Sequence, residues 1–303
     1  MSTDFSLALI EGPWRHEFLA AGGSRFHVAL AGPDTHDSPL VVLLHGFPQF
    51  WWAWRHQIPA LATAGYRVAA LDLRGYGASD KPPIGHNLPH LAGDVAAVIN
   101  ALGAASAVVV GQGLGGLVAW TMTAYCPNVL TAAVVLNAPH PAVAAFRPPI
   151  LVSPRAWTQT TAWLLPVAPK RALRSGQMVR ACLQTWSATG WNDPEAANLY
   201  CQMMQVPFAA AKAIDQLRWL LRTPLHGDAH RFLAQFRRHG VAVPILHLQA
   251  GLDHFWRPSA MPVKHLGGPD YRFRELAGVG HFLAEEAAQP VTEQLLSFLQ
   301  QVC

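Results

Sequence analysis

Short apolar runs alternate along this chain with segments of helical periodicity, and no other feature restricts the fold as strongly. The runs are PLVVLLHG, YRVAALDL, SAVVVGQG, LTAAVVLNAP and VPILHLQAG, with their polar residues at the ends. This is typical of strands buried on both faces. Helices are predicted at about Trp52–Ala64, Leu88–Leu102 and Leu114–Tyr125, an edge strand at Ser24–Ala31 and a closing helix at Pro290–Val302. The alternation predicts β-α-β units, and hence an α/β fold whose mostly parallel, twisted sheet is flanked by helices.

One long region interrupts the alternation. From the end of NAPHPAVAAF to about His239 the chain is helical in character, is rich in Trp, Pro and Arg, and has no convincing strand. We therefore expect a helical cap at residues 139–239, inserted into an α/β core of residues 1–138 and 240–303. Such a cap would cover the carboxyl ends of the strands, where ligands bind in open α/β sheets.

The composition of the chain excludes several classes of protein. Its 303 residues are 51% hydrophobic and 13% charged, so a large buried core is expected and disorder is not. No run approaches the roughly 18 apolar residues of a membrane span, and MSTDFSLALIEGPW lacks the basic start of a signal peptide. The four cysteines have no C-x-x-C spacing, which favours a reducing compartment. We expect a cytoplasmic protein, and the sequence implies neither a metal nor an organic cofactor.

Positive charge is concentrated in the middle of the chain. Residues 147–238 carry 12 Lys and Arg against 4 Asp and Glu, whereas the whole chain has a net charge of only +4. A solvated cap surface explains this, and contact with an anionic membrane or an acidic protein is the alternative. Within this region Pro169–Trp186 is predicted to be one basic amphipathic helix. No nucleic-acid-binding module is recognised, so nucleic acid is not an expected partner.

The stretch VVVGQGLGGLVAW, from Val108 to Trp120, has the pattern of a nucleophile elbow: a strand, a tight glycine turn and a helix. The position that carries the attacking side chain in such an elbow is Gly113, which has none. The backbone amide of Leu114, at the start of the helix, can donate to an oxyanion. Phe47 in HGFPQFWWAWR can supply a second backbone donor, and a cis bond before Pro48 would suit this loop.

Two further motifs supply an acid and a base in the order that follows such an elbow. LQAGLDHFWRP places Asp253 just beyond a strand, and GVGHFLAEEAAQP places His281, 28 residues later, after the strand Tyr271–Leu276. Asp253 would orient the imidazole, and His281 would act as the general base. Asp72 in DLRGYGASDKP is instead expected to be structural, bonding loop amides and pairing with Arg74.

The remaining candidates are residues expected to contact a bound molecule. The predicted cap holds five of the eleven tryptophans, which indicates an apolar pocket between core and cap for a small apolar molecule. The candidate contact residues are His45, Trp51, Trp52, Gln112, Trp186 and Tyr200. The oligomeric state does not follow from the sequence.

The motifs HGFPQFWWAWR, DLRGYGASDKP, GLDHFWRP and GVGHFLAEE together resemble the α/β-hydrolase superfamily, and within it the epoxide hydrolases and related actinobacterial proteins. The resemblance spans about Phe26–Ala138 and Val243–Val302, and it implies an α/β-hydrolase fold with a helical cap. It also implies an aspartate or serine where Gly113 stands, and cap tyrosines that protonate the epoxide oxygen. Tyr200 is the one tyrosine of residues 140–239. The resemblance therefore implies the fold but not the covalent reaction.

Four interpretations of such an elbow remain open. In the first, which we favour, His281 held by Asp253 acts on a small apolar ligand without a covalent intermediate, and covalent hydrolysis is absent or very weak. In the second, the protein is a pseudoenzyme that binds a ligand, a protein or a membrane surface. In the third, the elbow of a conventional hydrolase has been altered. In the fourth, a nucleophile comes from the cap or from a partner.

Overall fold

The computed structural model describes residues 4–35, 37–146, 153–222, 228–257 and 264–303. The strands are β1 (Arg15–Ala21), β2 (Ser24–Ala31), β3 (Leu40–Leu44), β4 (Arg67–Leu71), β5 (Ala107–Gln112), β6 (Leu130–Leu136), β7 (Ile245–Ala250) and β8 (Tyr271–Leu276). The α-helices within these residues are α1 (Gln57–Thr63), α2 (Leu88–Ala101), α3 (Leu114–Tyr125), α4 (Pro141–Phe146), α5 (Pro154–Ala162), α6 (Ala168–Arg174), α7 (Gln177–Trp186), α8 (Pro194–Met203), α9 (Ala209–Arg222), α10 (Asp228–His239), α11 (Leu283–Glu286) and α12 (Ala288–Val302).

The strands form one sheet in the order β1-β2-β4-β3-β5-β6-β7-β8. The first two pairings are antiparallel, and every pairing from β4 to β8 is parallel. Every residue of β3, β5 and β7 is buried, because helices cover both faces of the sheet there. The predicted α/β fold with a mostly parallel sheet is confirmed.

The edge of the sheet differs from the prediction. Ser24–Ala31 pairs with β1 on one side and β4 on the other, so it is an inner strand. The edge strand is Arg15–Ala21, which we did not predict. None of its residues is fully buried, and its charged and polar side chains conceal the pattern of a strand.

Two predicted helices are divided in the structure. The segment predicted at Trp52–Ala64 is a 3₁₀ turn, Trp51–Trp54, followed by α1. The single basic helix predicted at Pro169–Trp186 is wrong, because α6 ends at Arg174 and α7 begins at Gln177. Gly176 between them has φ = 77°, a left-handed conformation that ends a helix.

Helices α4 to α10 follow one another between β6 and β7, and the described part of this insertion contains no strand. We call them the inserted helices. Their treatment as a separate cap at residues 139–239 stays a prediction. None of the described helices has the length and apolar character needed to span a bilayer.

Candidate functional site

At the elbow after β5, residue 113 has the backbone conformation that an attacking residue would need. Gly113 has φ = 53° and ψ = −111°, a conformation that L-residues adopt only under strain. A Cβ built on Gly113 would lie 3.5 Å from His281 Nε2 and 3.7 Å from Gly46 Cα, which are ordinary contact distances. A Cβ on Gly111 or Gly115 would instead collide with neighbouring backbone. The elbow therefore has room for a side chain at residue 113, directed at His281.

The predicted acid and base lie together beside this elbow. His281 Nδ1 is 3.1 Å from Asp253 Oδ2 and 3.2 Å from Oδ1, and both side chains are buried. Asp253 Oδ1 also accepts hydrogen bonds from the amides of Phe255 and Trp256, at 2.8 and 3.0 Å. Because the carboxylate accepts the Nδ1 proton, the lone pair of the neutral ring is on Nε2, on the side of Gly113.

The loop that carries His281 is held by a residue that we did not predict. Asn137 follows β6 with φ = 48° and donates from Nδ2 to the carbonyl oxygen of His281, at 2.7 Å. Its Oδ1 accepts from the amide of Ala250 at the end of β7, at 2.7 Å. The signal in the sequence was an asparagine directly after a strand, since asparagine tolerates positive φ better than most residues.

Gln112 supports α11, the helix that follows this loop, and does not line the cavity described below. Its Oε1 accepts from the amide of Ala284 at 2.9 Å, and its Nε2 donates to Gln49 Oε1 at 3.0 Å. Gln49 in turn donates to Glu285. The elbow, the loop after β3 and α11 are thus joined by buried amide side chains.

Tyr200 lies in a buried cluster around Glu285. Its hydroxyl donates to Glu285 Oε1 at 2.7 Å, and Arg55 pairs with Glu285 and, at 2.8 Å, with Asp193. Burial raises the pKa of Glu285 above its ordinary value, against the opposing effect of Arg55. The structure therefore places Tyr200 where it joins the inserted helix α8 to α11, outside the cavity described below.

Three other candidate contact residues also lie away from the cavity. His45 is buried, donates from Nδ1 to Gly46 O at 2.9 Å and accepts from the amide of Leu73 at 3.1 Å. Burial lowers the pKa of His45. Trp51 is buried and donates to Ala8 O at 2.8 Å, and Trp52 packs edge-on against Trp51. These contacts give no support for a role in ligand binding.

Asp72 departs from the prediction in one respect. It accepts from the amides of Trp51 and Ala78, both at 2.9 Å, so it does bond loop amides. The predicted pairing with Arg74 is wrong, because Arg74 turns towards α2 and binds Asp94 through two contacts of 2.6 Å. The partner of Asp72 is His27, whose Nδ1 lies 2.7 Å from Oδ2.

A cavity of about 90 Å³ lies between the elbow and the inserted helices. Five of the sequence candidates line it, namely Phe47, Gly113, Leu114, Trp186 and His281. The rest of its wall is mainly aliphatic and aromatic, and the aromatic side chains are Trp163, Trp219, Trp256, Phe232 and Phe255. Among the described lining residues, His281 alone has a titratable side chain. The cavity therefore suits a small uncharged molecule.

Two backbone amides at the cavity remain available to an anion. Within the described chain, neither the Phe47 nor the Leu114 amide donates a hydrogen bond, and Leu114 is the first residue of α3. The Phe47–Pro48 bond is cis, in line with the sequence. No group of three or more histidine, cysteine or acidic side chains among the described residues could hold a metal ion.

The fold and the site define a class of protein, an α/β protein with a strand–elbow–helix turn and a buried histidine–aspartate pair. A family profile described as alpha/beta hydrolase fold matches residues 39–288, and the chain belongs to this family. The predicted resemblance to α/β hydrolases, and among them to epoxide hydrolases, is confirmed.

Several of the similar proteins are epoxide hydrolases by name. Epoxide hydrolase 3 of Xenopus tropicalis is 29% identical over 289 residues, which is 92% of this chain and 76% of that protein. Epoxide hydrolase B of Mycobacterium tuberculosis is 46% identical over 126 residues, or 41% of this chain and only 35% of that protein. The solved structure of epoxide hydrolase A from Mycobacterium thermoresistibile superposes with a TM-score of 0.78 at 24% identity, covering 95% and 98% of the two chains. At this identity the superposition establishes the fold.

Proposed function

We propose that this protein binds a small uncharged molecule and acts on it through His281 as a general base, without a covalent intermediate. The observation that carries the proposal is the 3.5 Å between His281 Nε2 and the position of a Cβ at residue 113. Because Gly113 has no side chain, a water molecule or a substrate atom can occupy that position and reach Nε2 directly. Asp253 supports the proposal by orienting the ring and stabilising its protonated form.

For a small ester the reaction has a simple proton balance. His281 Nε2 takes a proton from water as the water oxygen attacks the carbonyl carbon, and the carbonyl oxygen becomes an oxyanion. The amides of Phe47 and Leu114 donate to this oxyanion. When it collapses, the alcohol leaves and takes the proton back from His281. General base catalysis of this kind contributes roughly 10²–10⁴-fold in rate.

The lining of the cavity restricts the substrate. Its wall is aromatic and aliphatic, with no charged side chain among the described lining residues other than a protonated His281. A charged substrate would lose its hydration without gaining a partner. We therefore propose small esters and, by analogy with the similar epoxide hydrolases, small epoxides. In this proposal residues 139–239 act as the cap that excludes water.

The proposal is tested with phenyl acetate and styrene oxide as probes. We expect slow turnover by the protein, a roughly 10²–10⁴-fold loss of kcat/KM in His281→Ala, and no loss in the matched control His90→Ala, whose histidine is exposed on α2. With enzyme in excess in ¹⁸O-water, the diol formed in the first turnover should carry the solvent label. A covalent adduct in the intact mass spectrum during turnover, or full activity in His281→Ala, would refute the proposal.

The alternative is a pseudoenzyme that binds a ligand in the same cavity. The missing side chain of Gly113 is the observation that favours it. Tryptophans line the cavity, so quenching of their fluorescence reports binding of the same probes. A pseudoenzyme would bind them equally well with His281→Ala and show no turnover that depends on this residue.

A further inference from the structure

Two connections between the inserted helices expose large apolar side chains. Leu164, Leu165 and Val167, just before α6, are 41%, 52% and 49% exposed, and Phe208, just before α9, is 71% exposed. Val167 and Phe208 line the same groove, of about 670 Å³. Single exposed apolar residues are common on protein surfaces, but a cluster of four indicates a contact surface.

The same groove is lined by basic side chains. Lys170, Arg171 and Arg174 lie on α6 and face it. Lys170 is 3.5 Å from Asp215, whereas Arg171 and Arg174 are exposed and form no ion pair with any described residue. Uncompensated positive charge therefore borders the exposed apolar side chains.

The backbone at Phe208 is unusual. Phe208 has φ = 69°, a conformation that bulky residues rarely adopt, and yet its ring remains largely in water. A strained residue whose side chain does not serve the folded core indicates a role outside it.

We propose that this face, which comprises Leu164–Val167, α6 and Phe208, docks on an anionic phospholipid bilayer. Protruding apolar side chains beside basic ones are what an interface of acyl chains and acidic headgroups accommodates. We favour a bilayer over an acidic protein because four large apolar side chains are exposed beside the basic ones, and acyl chains accommodate such side chains without a matching partner shape.

The position of the face relative to the cavity also favours a bilayer. Helix α9 begins at Ala209, directly after Phe208, and Leu217, Leu220 and Leu221 further along it line the cavity. Docking would thus place one end of α9, which lines the cavity, at the bilayer, in which small apolar molecules dissolve. This inference requires the cavity but not the catalytic role of His281.

Flotation with phosphatidylcholine vesicles, with and without phosphatidylserine, tests the proposal. We expect binding to the anionic vesicles at low salt, and its loss at high salt or without phosphatidylserine. Each of Arg171→Ala and Arg174→Ala should weaken binding about fivefold, because one basic residue near an anionic surface is worth about 1 kcal/mol. Phe208→Asn should weaken it without unfolding the protein, since asparagine tolerates positive φ.

Two variants outside the face serve as matched controls. Ile84→Ala removes an apolar side chain that is 75% exposed, and Arg274→Ala removes an exposed basic one on β8. Both should bind like the unaltered protein. The proposal is overturned if the anionic vesicles fail to bind at low salt, if the controls lose as much affinity as the variants of the face, or if polyglutamate binds through Arg171 while vesicles do not.

Discussion

Two buried histidine–aspartate pairs in this molecule have similar geometry and different surroundings. His281 and Asp253 lie 3.1 Å apart at the cavity, and His27 and Asp72 lie 2.7 Å apart within the core. His281 lines the cavity, and its Nε2 lies 3.5 Å from the position of a Cβ at Gly113. In each pair Nδ1 of the histidine contacts the aspartate, so the chemistry of the pair depends on what Nε2 of the histidine faces.

Nε2 of His27 already contacts another side chain. This atom lies 2.9 Å from His16 Nδ1, and His16 Nε2 lies 2.8 Å from Ile10 O. Three contacts thus link Ile10 to Asp72 through the rings of His16 and His27. All three can be hydrogen bonds only when the two rings together carry three protons on nitrogen, whereas two neutral imidazoles carry two. Burial lowers the pKa of His16 and opposes this proton, while Asp72 favours it. In either state no nitrogen of His27 is available to a ligand.

Replacement of the carboxylate at the cavity is expected to have the largest effect. In Asp253→Asn the amides of Phe255 and Trp256 still find an acceptor, because both bond Oδ1. The new Nδ2 would face His281 Nδ1 and favour the wrong tautomer, so turnover of phenyl acetate should fall about 10²–10⁴-fold. The urea midpoint should change little. Unchanged turnover would contradict the proposed role of this pair.

The same substitution at the core pair should act on stability. Asp72 accepts from Trp51 on Oδ1, and from Ala78 and His27 on Oδ2, so an amide nitrogen at either position must face a donor. Asp72→Asn should lower the free energy of unfolding by about 3–5 kcal/mol in urea titration. Asp80→Asn in the same loop, where the carboxylate is half-exposed, is the control and should cost less than about 1 kcal/mol. Equal losses would show that the two sites do not differ as described.

A hydroxyl side chain at residue 113 would complete a nucleophile–histidine–aspartate triad with His281 and Asp253. In Gly113→Ser the Cβ fits, so the loss of stability should come from backbone strain alone, about 1–3 kcal/mol in urea titration. An acyl-enzyme with phenyl acetate should then be detectable by mass spectrometry. Gly111→Ser is the control that should not fold, because its Cβ collides with the backbone of Gly115. A Gly113→Ser protein as stable as the original would contradict the strain argument.

Two histidines without a carboxylate partner complete the comparison. Burial lowers the pKa of His140 and of His247 to about 3. Because these pKa values are lower in the folded than in the unfolded chain, the unfolded state binds more protons below about pH 6.5 and stability decreases as the pH falls from there towards 3. Each histidine should contribute about 1.4 kcal/mol per pH unit in this window.

The variant His247→Phe tests this contribution. It should reduce the slope of unfolding free energy against pH by up to about 1.4 kcal/mol per pH unit, the value for one proton. The slope is measured by urea titration at several pH values between 6.5 and 4. An unchanged slope would mean that His247 is protonated in the folded protein.

The sequence located the catalytic candidates better than the contact residues. The strand ends before Gly113 and Asp253, and the loop before His281, are local patterns, and the structure brings these three residues together. Motif membership did not reveal which way His45 and Trp51 point, and both side chains face the core. Glu285 was missed because a single glutamate in a short helix carries no signal of its buried partners.

The amino-acid sequence by itself determined the alternating elements, the glycine elbow and the chain order of acid and base, because each depends on neighbours a few residues apart. Tertiary structure alone decided which aromatic side chains of the inserted helices form the cavity wall. It also decided that Asp72 pairs with His27 and that Tyr200 binds Glu285. Contacts between residues 45 or more positions apart depend on how whole strands pair and whole helices pack, and a local pattern of residues does not encode that arrangement.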